Sequence, residues 1–574
     1  MNEIVKRTLE IEASLKGLTL SPAELSQLFE EKGKEEMKKI GEKLFPSPPL
    51  ALLSFDVDKI KEYVFATSRP IEIKGGSDIL ESLTEKDSKD GVYAWLKKLG
   101  IADDNVIFAG GGSGLVLLPA SKAEEAAEAI EEGYKRATIT ATCTAVYELF
   151  YPHELIYGKD IEYPLGDCGG KYFDKEYIER IKNGERVPFG KIVKLLSFKL
   201  RRKKEERALR DLSPASYPPF LRLCTSCGLY PARKKEKRDE EEVEYLCASC
   251  FNKRKVARAM EERRREALSL EEIVQMEDGE RDDIALIYAD LCETGSLLEK
   301  AETMEDLKAL SKALMDAIEK SIQEIVRKHH LWKKYQAPIV GGDDIVLIIP
   351  ARYTVSVVCM LLKEIESNLQ REGDKMENIS EELKRELRRL RLAVGFLTAP
   401  HTFPIHYLFN YVQSLLRNAK AFYYREKKRV DWIDFLRLKA GSPLNIELDK
   451  LREQERKKEI EPGVYYNLTM CPYRIDEFKK LINALEMLKS KIHSSQLHNI
   501  LQLLNDHPFA AWINIIYQVL RNQKDWGEVM EKLTGSSDDY TAWANFFVHK
   551  RDNNYYTRFI DFMDLYKVSR KGES

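Results

Sequence analysis

The apolar positions of the chain gather into short compact runs of the kind that form buried strands: ALLSFDVDKI at 51–60, NVIFAGGGSGLVLLP at 105–119, IALIYAD at 284–290 and APIVGGDDIVLIIP at 337–350. Helix-period patterns lie between them, the longest at about 301–330, and RLAVGF and HYLFNYVQSLLRNAKAFYY continue the alternation. A strand ending in Asp, a helix, and a strand pair around a Gly turn occur at 52–118 and again at 284–350. This order predicts an internal duplication of one α/β unit.

The flanks differ. Residues 1–50 read as a short helical segment, with Ile4, Leu9, Ile11 and Leu15 at helical spacing and a stop at Pro46 to Pro49. The first α/β block takes 51–196. A strongly charged insert follows at 197–281, with KLRRKKEER, RKKEKRDEEEVE and RKVARAMEERRRE. The second block takes 282–444. Residues 445–574 show no convincing strand pattern and read as a helical closing domain carrying Trp512, Trp526 and Trp543.

Composition narrows the class. With 43% hydrophobic and 32% charged residues the chain is expected to be globular. Its 92 basic and 94 acidic residues leave a net charge of −2, so any RNA contact must be local. No apolar run approaches the roughly 18 residues of a membrane helix, and the N-terminus mixes both charge signs where a signal peptide needs an apolar core. We expect a cytoplasmic protein without membrane contact.

Chemistry concentrates at a few places. Gly341 and Gly342 permit a tight hairpin that holds Asp343 and Asp344 at its turn. Beside Asp290, the last residue of another apolar run, they would form a negative cluster that is costly without a cation. Hard carboxylate oxygens suit Mg²⁺ or Mn²⁺ bridging to phosphates, and a pair of such ions serves nucleotidyl transfer. An ordinary Asp-rich turn is the alternative. The first block carries Asp56 and Asp58, but its turn reads Gly110, Gly111, Gly112, Ser113, so it lacks the second pair of acids. That turn can admit a phosphate or base close to its backbone, or be a plain hairpin. No G-x-x-x-x-G-K-[ST] loop occurs, which disfavours a P-loop ATPase.

Of nine cysteines, Cys224, Cys227, Cys247 and Cys250 form two Cys-x-x-Cys pairs at zinc-ribbon spacing, while Cys143, Cys168, Cys292, Cys359 and Cys471 are scattered. A closed four-thiolate Zn²⁺ site would fold the insert and perform no catalysis; a redox Cys-x-x-Cys lacks its thioredoxin-like context. The nine histidines, among them His153, His329, His330 and His507, do not assemble into a hydrolase pattern. Lys420 ends the run SLLRNAK and is either a phosphate contact or a solvated lysine. The basic runs at 201–204 and 262–266 are either RNA contacts or solvated helix faces.

The order FDVDKIKEYVFATSRPIEIKGGSDIL, AGGGSGLVLLP, the four-cysteine insert, IALIYAD, VGGDDIVLIIP and a helical tail resembles the large subunit of type III CRISPR effector complexes, the palm-domain CRISPR polymerase. The resemblance implies an α+β fold: two ferredoxin-like palm domains of nucleotide-cyclase type, a zinc-ribbon insert and a C-terminal helical domain. It implies conversion of ATP to cyclic oligoadenylate, with release of pyrophosphate, when target RNA is bound. By match, Asp290, Asp343 and Asp344 would hold two Mg²⁺ or Mn²⁺ ions. Gly341, Gly342 and Lys420, with Gly110 to Ser113 of the degenerate hairpin, would meet nucleotide. Implied partners are a crRNA and target RNA within a multi-subunit complex, small helical subunits at the C-terminal domain, and a subunit at the palm and zinc region that binds the guide's repeat-derived tag. Relatives often begin with a histidine-aspartate nuclease domain; no His-Asp dipeptide occurs here, so no DNase is expected. After Asp290 the chain reads Leu291, Cys292, Glu293, where many relatives have glycine and a polar residue. A product linking ATP to S-adenosylmethionine, a stand-alone cyclic-dinucleotide synthase and a catalytically silent scaffold stay open as alternatives.

Overall fold

The computed structural model describes residues 2–28, 33–159, 175–210, 220–237, 243–259, 266–275, 282–443, 446–506, 520–534, 548–551 and 554–568, with isolated positions at 513, 516–517 and 546. In the first block β1 (Leu50–Val57), β2 (Val106–Gly110), β3 (Ser113–Pro119) and β4 (Cys143–Phe150) form a sheet ordered β2-β3-β1-β4. Helix Pro70–Thr84 lies between β1 and β2, and helix Ala123–Thr138 between β3 and β4. The insert supplies a hairpin of β5 (Lys234–Lys237) and β6 (Val243–Leu246), followed by helix Ala248–Ala259.

The second block repeats the path. Strand β7 (Ile284–Cys292), helix Met304–Lys328, hairpin β8 (Gln336–Gly341) and β9 (Asp344–Pro350), helix Thr354–Lys375 and β10 (Arg391–Ala399) follow in sequence. Their sheet order, β10-β7-β9-β8, is the order of the first block, so both blocks are ferredoxin-like and the duplication is one of topology. β11 (Trp432–Arg437) extends this sheet parallel to β10, which requires a crossover, and helix Ile405–Glu426 is that crossover.

Strand β7 sits inside the sheet and all nine of its residues are buried, so period-two alternation sorts them between two cores. Ala285, Ile287, Ala289 and Leu291 enter one core with Leu50 and Leu52 of the first block; Ile284, Leu286, Tyr288 and Cys292 enter the other with Ala51, Leu53 and Phe55. Both blocks therefore contribute to both cores and pack against each other. Alternation also puts Asp290 on the Tyr288 face, toward helix Ile405–Glu426.

Three features depart from the sequence reading. Helix Phe189–Arg210 runs unbroken through the expected boundary at 196–197 and packs on the first block, with Ile192, Leu195 and Leu196 buried in its core. In the N-terminal helix Leu15 is exposed, whereas Glu12 is buried because it accepts from the backbone N–H and hydroxyl of Ser121. The C-terminal region, expected to be helical, also holds a sheet of β12 (Lys457–Glu461), β13 (Val464–Asn467), β15 (His549–Arg551) and β16 (Asn554–Tyr556), ordered β12-β13-β16-β15. A two-residue β14 (Tyr473–Arg474) adds to the edge of β11. These strands are short, and β12 and β15 are charged, so no apolar run announces them. The Pro462-Gly463 dipeptide between Glu461 and Val464, with Gly463 at φ +78°, is the turn signal that does. Trp526 is buried; Trp512, Trp543, His507 and Cys168 lie outside the described residues. Among the described residues no helix is long and apolar enough to cross a membrane.

Candidate active site at the acidic hairpin

Register builds the site. Asp290 is paired with Asp344 across β7 and β9, and Gly341 with Asp344 across β8 and β9, leaving Gly342 and Asp343 as the turn. Gly342 has φ +63° and open space around it, so its backbone conformation is what calls for glycine. The backbone N–H of Leu291 donates to the carbonyl of Asp343 at 3.1 Å, which ties the turn to the end of β7. Asp290, Asp343 and Asp344 each then offer a carboxylate oxygen, all within 4.8 Å of one another.

Such crowding carries an electrostatic cost. Burial, and then the charge of Asp343, push the Asp290 carboxyl up to about 7, against the pull of Lys420. Burial and Asp344 raise Asp343 as well. Lys420 Nζ meets Asp290 Oδ1 at 2.8 Å. Asp344 is held on both sides: the Tyr288 hydroxyl donates to Oδ1 at 2.7 Å, and Lys61 of the first block approaches Oδ2 at 3.0 Å. Asp343 has no ion-pair partner among the described residues. A partly buried, all-oxygen donor set with this excess of negative charge fits a hard divalent cation.

The first block shows what happens when the acids are fewer. Asp56 pairs with Ser113, and Gly110 with Ser113. Asp56 thus stands where Asp290 does, Ser113 where Asp344 does and Gly112 where Asp343 does. A protein cation fills the place: Lys204 reaches Asp56 at 2.6 Å and Asp58 at 3.1 Å, and Arg207 lies 3.6 Å from Asp58. The hydroxyls of Thr142 and Thr144 donate to Asp58 at 2.8 and 2.9 Å. The basic run at 201–204 therefore divides. Arg201 and Arg202 pair with Glu205 and Glu206 on the solvated face, while Lys203 bonds Glu131 and Lys204 neutralises the first block's acids. Sequence alone could not separate them, because it does not show which helix face meets β1. Of the run at 262–266 the structure describes Glu266 alone, which pairs with Lys74 at 2.7 Å.

The two hairpins touch at their glycines. A Cβ on Gly341 would fall 2.7 Å from the Gly111 Cα, one on Gly110 2.9 Å from Met315 Sδ, and one on Gly112 2.8 Å from Ile60 Cδ1. Backbone conformation calls for glycine at Gly111 and Gly112, at φ +59° and +85°, independently of any ligand, while at Gly110 a Cβ would press on the flexible end of Met315. Gly341→Ala must push backbone against backbone, and we expect it to lower stability by about 1–3 kcal/mol in denaturant melts; a neutral result would show that the hairpins can part freely. The loop after β1 reinforces the contact. Phe65 stacks on Phe409 with ring centroids 3.9 Å apart, and Ser68 Oγ hydrogen-bonds His406 Nδ1 at 2.7 Å.

Away from this site, the sulfurs of Cys224, Cys227, Cys247 and Cys250 converge within 4.8 Å, a donor set that fits Zn²⁺. The left-handed Gly228, whose N–H donates to the Cys224 carbonyl, and the Cys250 N–H directed at Cys247 Sγ form the loops that aim them. His153 is buried, its pKa lowered to about 4 by burial and by Lys38 and Lys34. It belongs to no cluster of metal-ligating groups among the described residues.

Residues 283–429 match the family model described as Cas10/Cmr2, second palm domain. The acidic hairpin block is thus a palm of that family, and the resemblance carried by the motifs is borne out. A comparison with curated proteins finds no match by sequence. Among solved structures, the chain aligns with Csm1 in T. onnurineus at 14% identity and a TM-score of 0.49, covering 91% of this chain and 70% of that one. It aligns with a Csm1-Csm4 cassette in complex with cA4 at 13% identity and a TM-score of 0.46, covering 91% and 70%. A cassette in complex with pppApA gives 13%, 0.47, 93% and 71%. Likeness at this level carries no argument about chemistry.

Proposed function

We propose that this chain is the large subunit of a crRNA-guided type III CRISPR ribonucleoprotein, and that its second palm converts ATP to cyclic oligoadenylate when target RNA is bound. The observation that carries the reading is the convergence of Asp290, Asp343 and Asp344 within 4.8 Å beside Lys420, inside the segment that matches a Cas10/Cmr2 palm. In the reaction the 3′-oxygen of one ATP bonds to the α-phosphorus of another as the bond to pyrophosphate breaks.

The three carboxylates would hold Mg²⁺ or Mn²⁺, which when bound lowers the barrier to deprotonating the attacking hydroxyl and balances charge on the departing pyrophosphate. The chain's own groups do the rest. Tyr288 fixes the Asp344 carboxylate, the N–H of Leu291 fixes the turn, and Lys420, half-buried beside Asp290, adds positive charge for a triphosphate. The first palm, its acids already neutralised by Lys204, is read as a wall of the nucleotide cleft that performs no metal chemistry. Gly110 to Ser113 would border that cleft. The four cysteines would hold a structural Zn²⁺. The C-terminal helices would meet small helical subunits, and the palm and zinc region the subunit that binds the repeat tag.

The test is to incubate the assembled complex with labelled ATP, Mg²⁺ or Mn²⁺ and complementary RNA, beside a GTP control. Cyclic oligoadenylate that depends on target RNA is expected. Turnover of GTP alone would point to a stand-alone dinucleotide synthase, and no product under any condition would leave a silent scaffold.

A further inference from the structure

We infer that Lys61, on the first palm, belongs to the second palm's active site: it occupies Asp344 as a stand-in cation, yields it when divalent metal enters, and then faces the substrate's triphosphate. The inference rests on the nucleotidyl-transfer reading and adds a residue to it.

The geometry singles out Asp344. Both its oxygens are engaged, Oδ1 by the Tyr288 hydroxyl at 2.7 Å and Oδ2 by Lys61 Nζ at 3.0 Å. A divalent cation bound by all three carboxylates repels the Lys61 ammonium and competes with it for Asp344, whereas the neutral Tyr288 hydroxyl can keep its bond because each carboxylate oxygen has a second lone pair. Tyr288 cannot move easily: its side chain is buried in the sheet core and lies 5.9 Å from, and nearly parallel to, the Phe409 ring. Lys61 can. About a third of its side chain is exposed, it projects from the short helix Ile60–Val64, and its ammonium rests 4.9 Å above the Tyr288 ring. The first palm repeats the device in permanent form, with Lys204 lying between Asp56 and Asp58. There Arg207 and two threonine hydroxyls complete the neutralisation. At the second palm, among the described residues, Asp344 is backed by the Tyr288 hydroxyl alone, and Lys61 sits at 3.0 Å where Lys204 reaches Asp56 at 2.6 Å, so its hold is the weaker of the two.

Lys61 and Lys420 therefore flank the acids, one from each block. Because Phe65 and Ser68, a few residues on, anchor the same segment to Phe409 and His406, the placement of Lys61 depends on the palms staying packed together. The second palm's charge complement is incomplete without the first.

Mn²⁺ alone, titrated into the full chain and followed by electron paramagnetic resonance, tests this without reference to turnover. Lys61→Met is expected to bind Mn²⁺ at least about tenfold more tightly than the unaltered chain, because a competing cation is gone. Lys61→Arg, which keeps the charge, and Lys59→Met, which removes an exposed neighbour, should leave the affinity unchanged. In the assembled complex Lys61→Met should raise the KM for ATP by about tenfold with a smaller change in kcat, as expected when a triphosphate contact is lost. Unchanged or weaker Mn²⁺ binding by Lys61→Met would overturn the inference, because a lysine that merely orients Asp344 gives that result. If the unaltered chain binds no Mn²⁺ that Asp343→Asn abolishes, the nucleotidyl-transfer reading itself fails.

Discussion

Asparagine in place of Asp343 is expected to lower the proposed ATP turnover by at least about 10²-fold and to make the metal-free protein harder to melt at neutral pH. The first effect follows from position. Asp343 is the turn acid that makes no ion pair among the described residues, so its charge is available to a cation, and removing one ligand or charge-stabilising group from a transfer site costs roughly 10²–10³ in rate. The second effect follows from the sign of its perturbation. Burial and Asp344 raise its pKa in the folded state, so the folded form binds its proton more tightly than the unfolded chain. Stability is therefore lost as pH climbs past the ordinary aspartate value of about 4. A neutral amide escapes that loss. The gain in melting temperature should be present at pH 7 without metal, shrink when Mg²⁺ is added and vanish below roughly pH 4. A variant that is less stable than the parent at pH 7 would mean that Asp343 holds the turn together and that the acidic cluster is structural.

Serine in place of Cys247 is expected to unfold more than the ribbon that contains it. Metal binding contributes about 10–16 kcal/mol to the folding of small four-ligand zinc modules, a sum comparable with the roughly 5–15 kcal/mol that holds a whole domain folded. Helix Ala248–Ala259 starts directly after Cys247, and its far side is built into the first palm. Lys253 presents its backbone so closely to Gly75 that a Cβ there would fall 1.9 Å from the Lys253 carbonyl oxygen. Its Nζ donates to the Tyr63 carbonyl and lies 3.9 Å above the Tyr63 ring. Arg254 Nε bonds Glu72 at 2.6 Å, and Ser226 donates to the other Glu72 oxygen at 2.5 Å. Glu72 is fully buried on helix Pro70–Thr84. Stripping its partners strands a charge, which costs about 3–5 kcal/mol. Elemental analysis should show zinc lost, and limited proteolysis should reach both 220–259 and the 70–84 helix. Cleavage confined to 220–259, with an unchanged melting temperature, would show that the ribbon is independent of the palm.

How much of this was visible in the chain depends on the range of the interactions. The acidic hairpin could be read because Gly341 to Asp344 is a local turn between two apolar strands, and because strand alternation is strict enough that Asp290 had few places to go. The cysteine spacing was equally local. The same logic failed where strands were short and charged, as at Lys457–Glu461 and His549–Arg551. There, apart from a Pro-Gly turn, partner strands rather than an apolar pattern define the sheet. It failed again at Lys61, Lys203 and Lys204, whose sequence surroundings are those of any solvated lysine.

The order of acids, glycines and cysteines was enough to dictate two like-folded blocks, a four-cysteine cluster and a negatively charged turn, because strand period, turn geometry and cysteine spacing act within a few residues. Which cations answer those charges came from the assembled fold. Lys61 crosses to Asp344 and Lys204 stays with Asp56 because two sheets and a helix happen to bring those surfaces together, and a lysine on a long flexible stem carries no mark in the chain of the carboxylate it will meet.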